Sequence, residues 1–191
     1  MTVVLADTQE ETLIFAADSA ASNGDEIYTV DTPKVFALGP YLFGYAGSYR
    51  IGQILRHYVE LPEPPERQER FLVREVVPIL RAAVLEQGAV GPGRDFLGER
   101  TALLIGFHGR IWCVGTDLTV TPERAYAAIG SGRLRAYGAF HVLHAAGVGP
   151  ARRRLELVLE ATAEHTANVR RPWHFVSLGP GAAVGPESPS C

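Results

Sequence analysis

The chain has 191 residues, 47% of them hydrophobic and 20% charged, with a formal net charge of −3. That length suits a single domain with a real core, and the composition excludes an intrinsically disordered chain. The charge gives no reason to approach a phosphate backbone, so no nucleic-acid partner is expected, and the one dense basic run, Arg152-Arg153-Arg154, reads as a solvated helix face.

The opening Met1 to Asp7 has neither the basic nor the apolar region of a secretory signal. No stretch nears the ~20 apolar residues of a membrane span, so a cytoplasmic protein without a membrane partner is expected. Two cysteines, Cys113 in an apolar run and Cys191 at the end, offer neither a disulfide framework nor a zinc site.

In chain order, Thr2 to Ala6 and Leu13 to Ala17 read as strands of a hairpin turning at Thr8 to Glu11, with Asp18 at its end. A polar loop, Ser22 to Asp25, follows. Lys34 to Leu38 and Tyr41 to Tyr45 form a second hairpin through Gly39-Pro40. From Arg50 the period becomes helical through Ile51, Ile54, Leu55 and Tyr58, until the proline-rich Leu61 to Pro65 stops it. A second helix is predicted from Arg67 to Gln87, kinked at Pro78.

Gly88 to Gly98 reads as a flexible loop. Thr101 to Phe107 and Ile111 to Gly115 then form a hairpin through His108-Gly109, and further short strands lead to Ile129. Gly130-Ser131-Gly132 opens a helix carrying Tyr137, Phe140, Val142 and Leu143, and another runs from Ala151 to Thr166. Trp173 to Leu178 is the last strand, and 179–191 reads as a flexible tail after one domain over 1–178. Strands, two helices, strands, two helices and a strand imply an α+β sandwich in four layers, αββα, with two antiparallel sheets between helix layers.

Lys34 is the sole lysine among 18 basic residues. Arginine does not readily give up its proton, whereas the pKa of a partly buried lysine answers to its surroundings, as tuned catalytic sites require. A chance survivor in an arginine-biased sequence is the competing reading. Thr2 follows Met1 and is small enough to permit removal of the methionine. The freed amine, with an ordinary pKa of about 7.7–8.0, can act as base for its own hydroxyl.

Thr2, Asp18 in Ala16-Ala17-Asp18-Ser19-Ala20, and Lys34 in Pro33-Lys34-Val35 resemble the nucleophile, acid and lysine of proteasome β-subunits and their bacterial relatives. Gly44-Tyr45-Ala46-Gly47-Ser48 is similar to the glycine-bearing segment of that family, and Ala128 to Gly132 to its Gly-Ser-Gly helix start. The five segments occur in order, and the absence of a longer propeptide looks most like the HslV and Anbu branches. The resemblance implies an N-terminal-nucleophile hydrolase: a threonine-type protease subunit that needs no cofactor or metal and acts on peptide or unfolded-protein substrate. It also implies assembly into a homo-oligomeric ring, with an ATPase unfoldase as the partner class.

On that resemblance Thr2 is nucleophile and base, Lys34 stabilises the developing alkoxide, and Asp18 pairs with Lys34. Gly47 or Ser48 supplies an oxyanion N–H, the choice staying open. Ser131 holds the Thr2 amine or simply caps the helix. By position Ala21, Thr32, Ala46 and Arg50 line the pocket before the cleaved bond, Arg50 pointing to acidic preference. Two departures stand out: Ala20 replaces an arginine common two residues after the Asp, and no Asp follows Asp117 where the family supports its threonine amine. Glu164, His165 and Asn168 are the substitutes at hand. Rival readings are a catalytically weak scaffold subunit and an amidohydrolase acting on a small amide. His141 and His144, three apart on a helix, read as packing or solvent-facing residues rather than metal ligands.

Overall fold

A computed structural model describes residues 2–23, 25–65, 68–89, 101–180 and 185–186. The first sheet runs β10-β1-β2-β11-β12, built from β1 (Val3–Gln9), β2 (Thr12–Ala17), β10 (Tyr126–Gly130), β11 (His174–Leu178) and the short β12 (Gly185–Pro186). The second runs β5-β6-β7-β8-β9, from β5 (Val35–Leu38), β6 (Tyr41–Ala46), β7 (Ala102–Phe107), β8 (Arg110–Val114) and β9 (Val120–Glu123). All pairings are antiparallel.

The sheets pack face to face. Val4, Ala6, Leu13 and Phe15 of one meet Val35, Leu42, Leu104 and Ile111 of the other in one buried cluster. The outer face of the first sheet, including Val3 and Leu5, packs on α4 (Arg133–Ala145) and α5 (Ala151–Glu164) through Phe140, Leu155, Val158 and Leu159. The outer face of the second packs on α1 (Tyr49–His57) and on the helical run ending in α3 (Val77–Glu86). The result is the predicted αββα sandwich. β1 is apolar at consecutive positions from Val3 to Ala6 because layers cover both of its faces, so strict alternation would have buried polar side chains.

The long helix predicted over 67–87 is three pieces: α2 (Gln68–Phe71), a π-helical turn at Leu72–Val76, and α3. Pro78 has no N–H to donate and its ring excludes the carbonyl four residues back, so the chain widens just before it. Ser22 and Asn23 of the polar loop predicted at 22–25 belong instead to a two-stranded ribbon, β3 (Ala20–Asn23) and β4 (Glu26–Thr29), too short to show a period.

Within the segment expected as a tail, Gly185–Pro186 pairs with Val176 and Ser177, while 181–184 and 187–191 lie outside the described residues. Most of the loop expected at 88–98 also lies outside them. No described helix is long and apolar enough to cross a membrane.

Candidate active site

Five segments meet where strands of both sheets end at the same edge. Thr2 precedes β1 at the centre of the first sheet. Its neighbours β2 and β10 run antiparallel to it, so Asp18 just after β2 and Ser131 just after β10 come level with Thr2. Lys34 precedes β5 and Gly47 follows β6, adjacent strands of the second sheet, so both reach the site from the facing layer.

Lys34 is 2% exposed and Asp18 wholly buried. An ammonium has three protons to donate, and here each has an acceptor: Thr2 Oγ1, Asp18 Oδ1 at 2.8 Å and the Ala20 carbonyl at 2.6 Å. The Thr2 hydroxyl donates in turn to Asp18 Oδ1. Backbone N–H groups hold the carboxylate on both oxygens, Val3 on Oδ1 and Ala20 on Oδ2, each at 3.0 Å. Burial lowers the Lys34 pKa below its ordinary value, against the attraction and hydrogen bond of Asp18, which raise it. Ala20 thus contributes its backbone on both sides of the pair, its N–H to Asp18 and its carbonyl to Lys34.

The Thr2 nitrogen donates to Ser131 Oγ at 3.2 Å, and the Ser131 hydroxyl lies 3.3 Å from the Thr2 carbonyl. Ser131 is not the helix cap: the N-cap of α4 is Gly132, with no side-chain capping bond. Gly130 makes the approach of the two segments feasible, since at φ +92° a Cβ there would sit 2.3 Å from the Thr2 carbonyl oxygen. Glu164 and His165 are exposed, and Asn168, though buried, makes no described hydrogen bond to Thr2.

The structure separates Gly47 from Ser48. The Ser48 N–H is taken by Thr101 Oγ1 at 3.3 Å. Tyr45 N–H donates to the Lys34 carbonyl, and strand alternation sends the Gly47 N–H to the same side, beyond the end of β5, where it has no partner among the described residues. Gly47 has φ +114°, and a Cβ there would meet Thr101 backbone at 2.7 Å.

Thr2 and Lys34 open on a cleft of about 940 Å³, lined by Ala21 of β3, Tyr45 and Gly47 at the end of β6, Tyr49 of α1, Cys113 of β8, and Ser131, Arg133 and Tyr137 following β10. Of the four residues placed in the pocket by position, only Ala21 lines it. Ala46 is buried between the sheets, Thr32 is exposed on the loop before β5, and Arg50 projects from the first turn of α1 to the Gln87 carbonyl. The tyrosines at 45 and 49 take those places. Their own signal was an aromatic pair four apart across a strand-to-helix junction; their rings meet edge to face, and Gly52 leaves the room that Tyr45 fills.

Arg154 overturns the solvated-face reading of its run. It is 7% exposed and grips wholly buried Asp7 at 2.8 and 2.9 Å, while Nη1 holds the Gly149 carbonyl at 2.6 Å. His144 shares Asp7 at 3.3 Å and packs on Tyr126. Among the described residues no group of three or more side chains could hold a metal ion.

No family model matches the chain, and no curated protein matches it. Among solved structures it is similar to BPH from Thiobacillus denitrificans in complex with epoxomicin, at 23% identity over 93% of this chain and 98% of that chain, with a TM-score of 0.78. Eukaryotic HslV from Trypanosoma brucei matches at 14% identity over 94% and 100%, TM-score 0.68. The Gly-1 mutant of Anbu from Hyphomicrobium sp. strain MC1 matches at 16% over 94% and 82%, TM-score 0.65. Likeness at these identities is likeness of fold, and the chain has the fold of the proteasome-type N-terminal-nucleophile hydrolases.

Proposed function

We propose that this chain is a threonine-type peptide hydrolase, a proteasome-like protease subunit whose nucleophile is Thr2 once Met1 is removed. The observation that carries the reading is the placement of Thr2 Oγ1 against both Lys34 Nζ and Asp18 Oδ1 at the mouth of an open cleft. Thr2 Oγ1 attacks the scissile carbonyl carbon while its proton passes to the freed Thr2 amine, directly or through water. The carbonyl oxygen takes the negative charge and accepts the Gly47 N–H. The C–N bond then breaks as the amine returns the proton to the leaving nitrogen. Water, deprotonated by the same amine, cleaves the ester on Thr2 and restores the hydroxyl. Lys34 stays protonated, favouring the alkoxide, and Asp18 offsets part of the cost of burying it. Ser131 orients the amine.

The first test is intact mass and peptide mapping before and after epoxomicin, the ligand bound to the Thiobacillus structure. A chain beginning at Thr2 that carries the adduct on Thr2, with hydrolysis abolished in Thr2→Ala, supports the reading. Peptide hydrolysis by a fully Met1-retaining, unlabelled protein overturns it. The scaffold alternative draws on the Thr2 nitrogen having no carboxylate as a hydrogen-bond partner among the described residues, only Ser131 Oγ, and it predicts Met1 retained with neither adduct nor hydrolysis. We further propose a homo-oligomeric ring served by an ATPase unfoldase. Light scattering then reads several times 20.7 kDa, whereas a strict monomer points to small-amide hydrolysis.

A further inference from the structure

Resting on that reading, we propose that Arg133 binds a carboxylate on the leaving fragment, so that the enzyme favours peptides with an acidic residue, or a free terminal carboxylate, just after the cleaved bond. The two ends of the cleft are distinguishable by chemistry. The acyl carbon sits between Thr2 Oγ1 and the Gly47 N–H, with Ala21, Tyr45 and Tyr49 around it. The leaving nitrogen must face the Thr2 nitrogen that protonates it, and that nitrogen is held at 3.2 Å by Ser131. Arg133 and Tyr137 follow Ser131 on α4, and Cys113 and Thr116 belong to β8 and the turn after it, with β7 between them and the β6 end that carries Tyr45 and Gly47, so these lining residues are assigned to the leaving side.

The charge on that side is unbalanced. Of the described residues lining the cleft, Lys34 and Arg133 alone are charged and none is acidic. Lys34 is neutralised by Asp18, but Arg133 forms no ion pair among the described residues. Its Nη1 donates to the Gly130 carbonyl at 3.3 Å, which steadies the guanidinium of an exposed side chain that lines the cleft. Burial, and then Glu123, push the Cys113 thiol up to about 11, with Arg133 the lesser, opposing influence. Glu123 does not line the cleft, and its own carboxyl is raised by burial. A planar, five-donor group with one anchored corner suits two-point binding of a carboxylate.

The test compares hydrolysis of peptide pairs with identical acyl halves: Asp against Asn after the cleaved bond, both amidated, and a one-residue leaving group as free acid against amide. In wild type at least one charged member should be cleaved about tenfold faster in kcat/KM, the scale of a single charge-assisted hydrogen bond. That ratio should fall to near one in Arg133→Ala and invert in Arg133→Glu, with Arg133→Gln as a milder second variant. Preference confined to the Asp pair assigns the site to a side chain, and preference confined to the free acid assigns it to the chain terminus. Ratios near one in wild type for both pairs overturn the proposal, as does a preference that survives Arg133→Glu. Failure of the parent reading looks different: no peptide is cleaved in a manner that Thr2→Ala abolishes, and both proposals fall together.

Discussion

Lys34 Nζ lies 2.8 Å from Asp18 Oδ1, and neither side chain is more than 2% exposed. A pair this deep costs much desolvation and contributes little net stability, but removing one partner strands the other charge, typically at about 3–5 kcal/mol. Such a pair is therefore better explained by what it does to Thr2 Oγ1, which both groups touch.

Lys34→Arg should lower peptide hydrolysis by about 10²–10⁴, the range for a lost acid–base contribution. The guanidinium keeps the charge, but its bulk must overpack the surroundings of a side chain only 2% exposed, costing roughly 1–3 kcal/mol of stability. Rates and urea unfolding measured together check this. Turnover near wild type alongside an inactive Thr2→Ala would show that the lysine has no catalytic part.

Ser131→Ala removes both contacts with Thr2 and should slow epoxomicin labelling by about tenfold or more while leaving the melting temperature nearly unchanged, because Ser131 is exposed and caps nothing. A helix-capping role gives the opposite pattern: a stability loss of about 1 kcal/mol with labelling intact.

Arg154→Met should destabilise the protein by about 3–5 kcal/mol, roughly 6–20 °C in melting temperature for a chain of this size. It leaves Asp7 charged in the core beside His144 and frees the α4–α5 turn. Asp7→Asn combined with Arg154→Met should recover part of the loss, measured by calorimetry as a double-mutant cycle.

His174 provides a pH test. Burial, with help from Lys34, holds its pKa below 6.5, against Asp18 and Asp31. Between the folded value and 6.5 the unfolded chain binds the proton that the folded chain refuses, so stability rises with pH across that window. The contribution is complete above 6.5 and is lost as pH falls through the folded value. Urea unfolding from pH 7.5 down to 5 should show a steeper loss for wild type than for His174→Gln. Parallel curves would mean that His174 titrates alike in both states.

The apolar runs, turn dipeptides and helical periods of this chain determined its αββα layering and, the β3–β4 ribbon and the break before Pro78 excepted, its element order, because burial periodicity is a local property of the sequence. The lone lysine, the early Asp and the threonine behind Met1 likewise marked the group now found together. Only the tertiary structure showed that Thr101, 53 residues away, occupies the Ser48 N–H and leaves that of Gly47. It also put Tyr45 and Tyr49, not Ala46 and Arg50, on the cleft, and it buried Arg154 against Asp7 across 147 residues. Charge runs look solvated until a distant partner is brought to them. Contacts of that range are set by how the sheets stack, which no local pattern encodes.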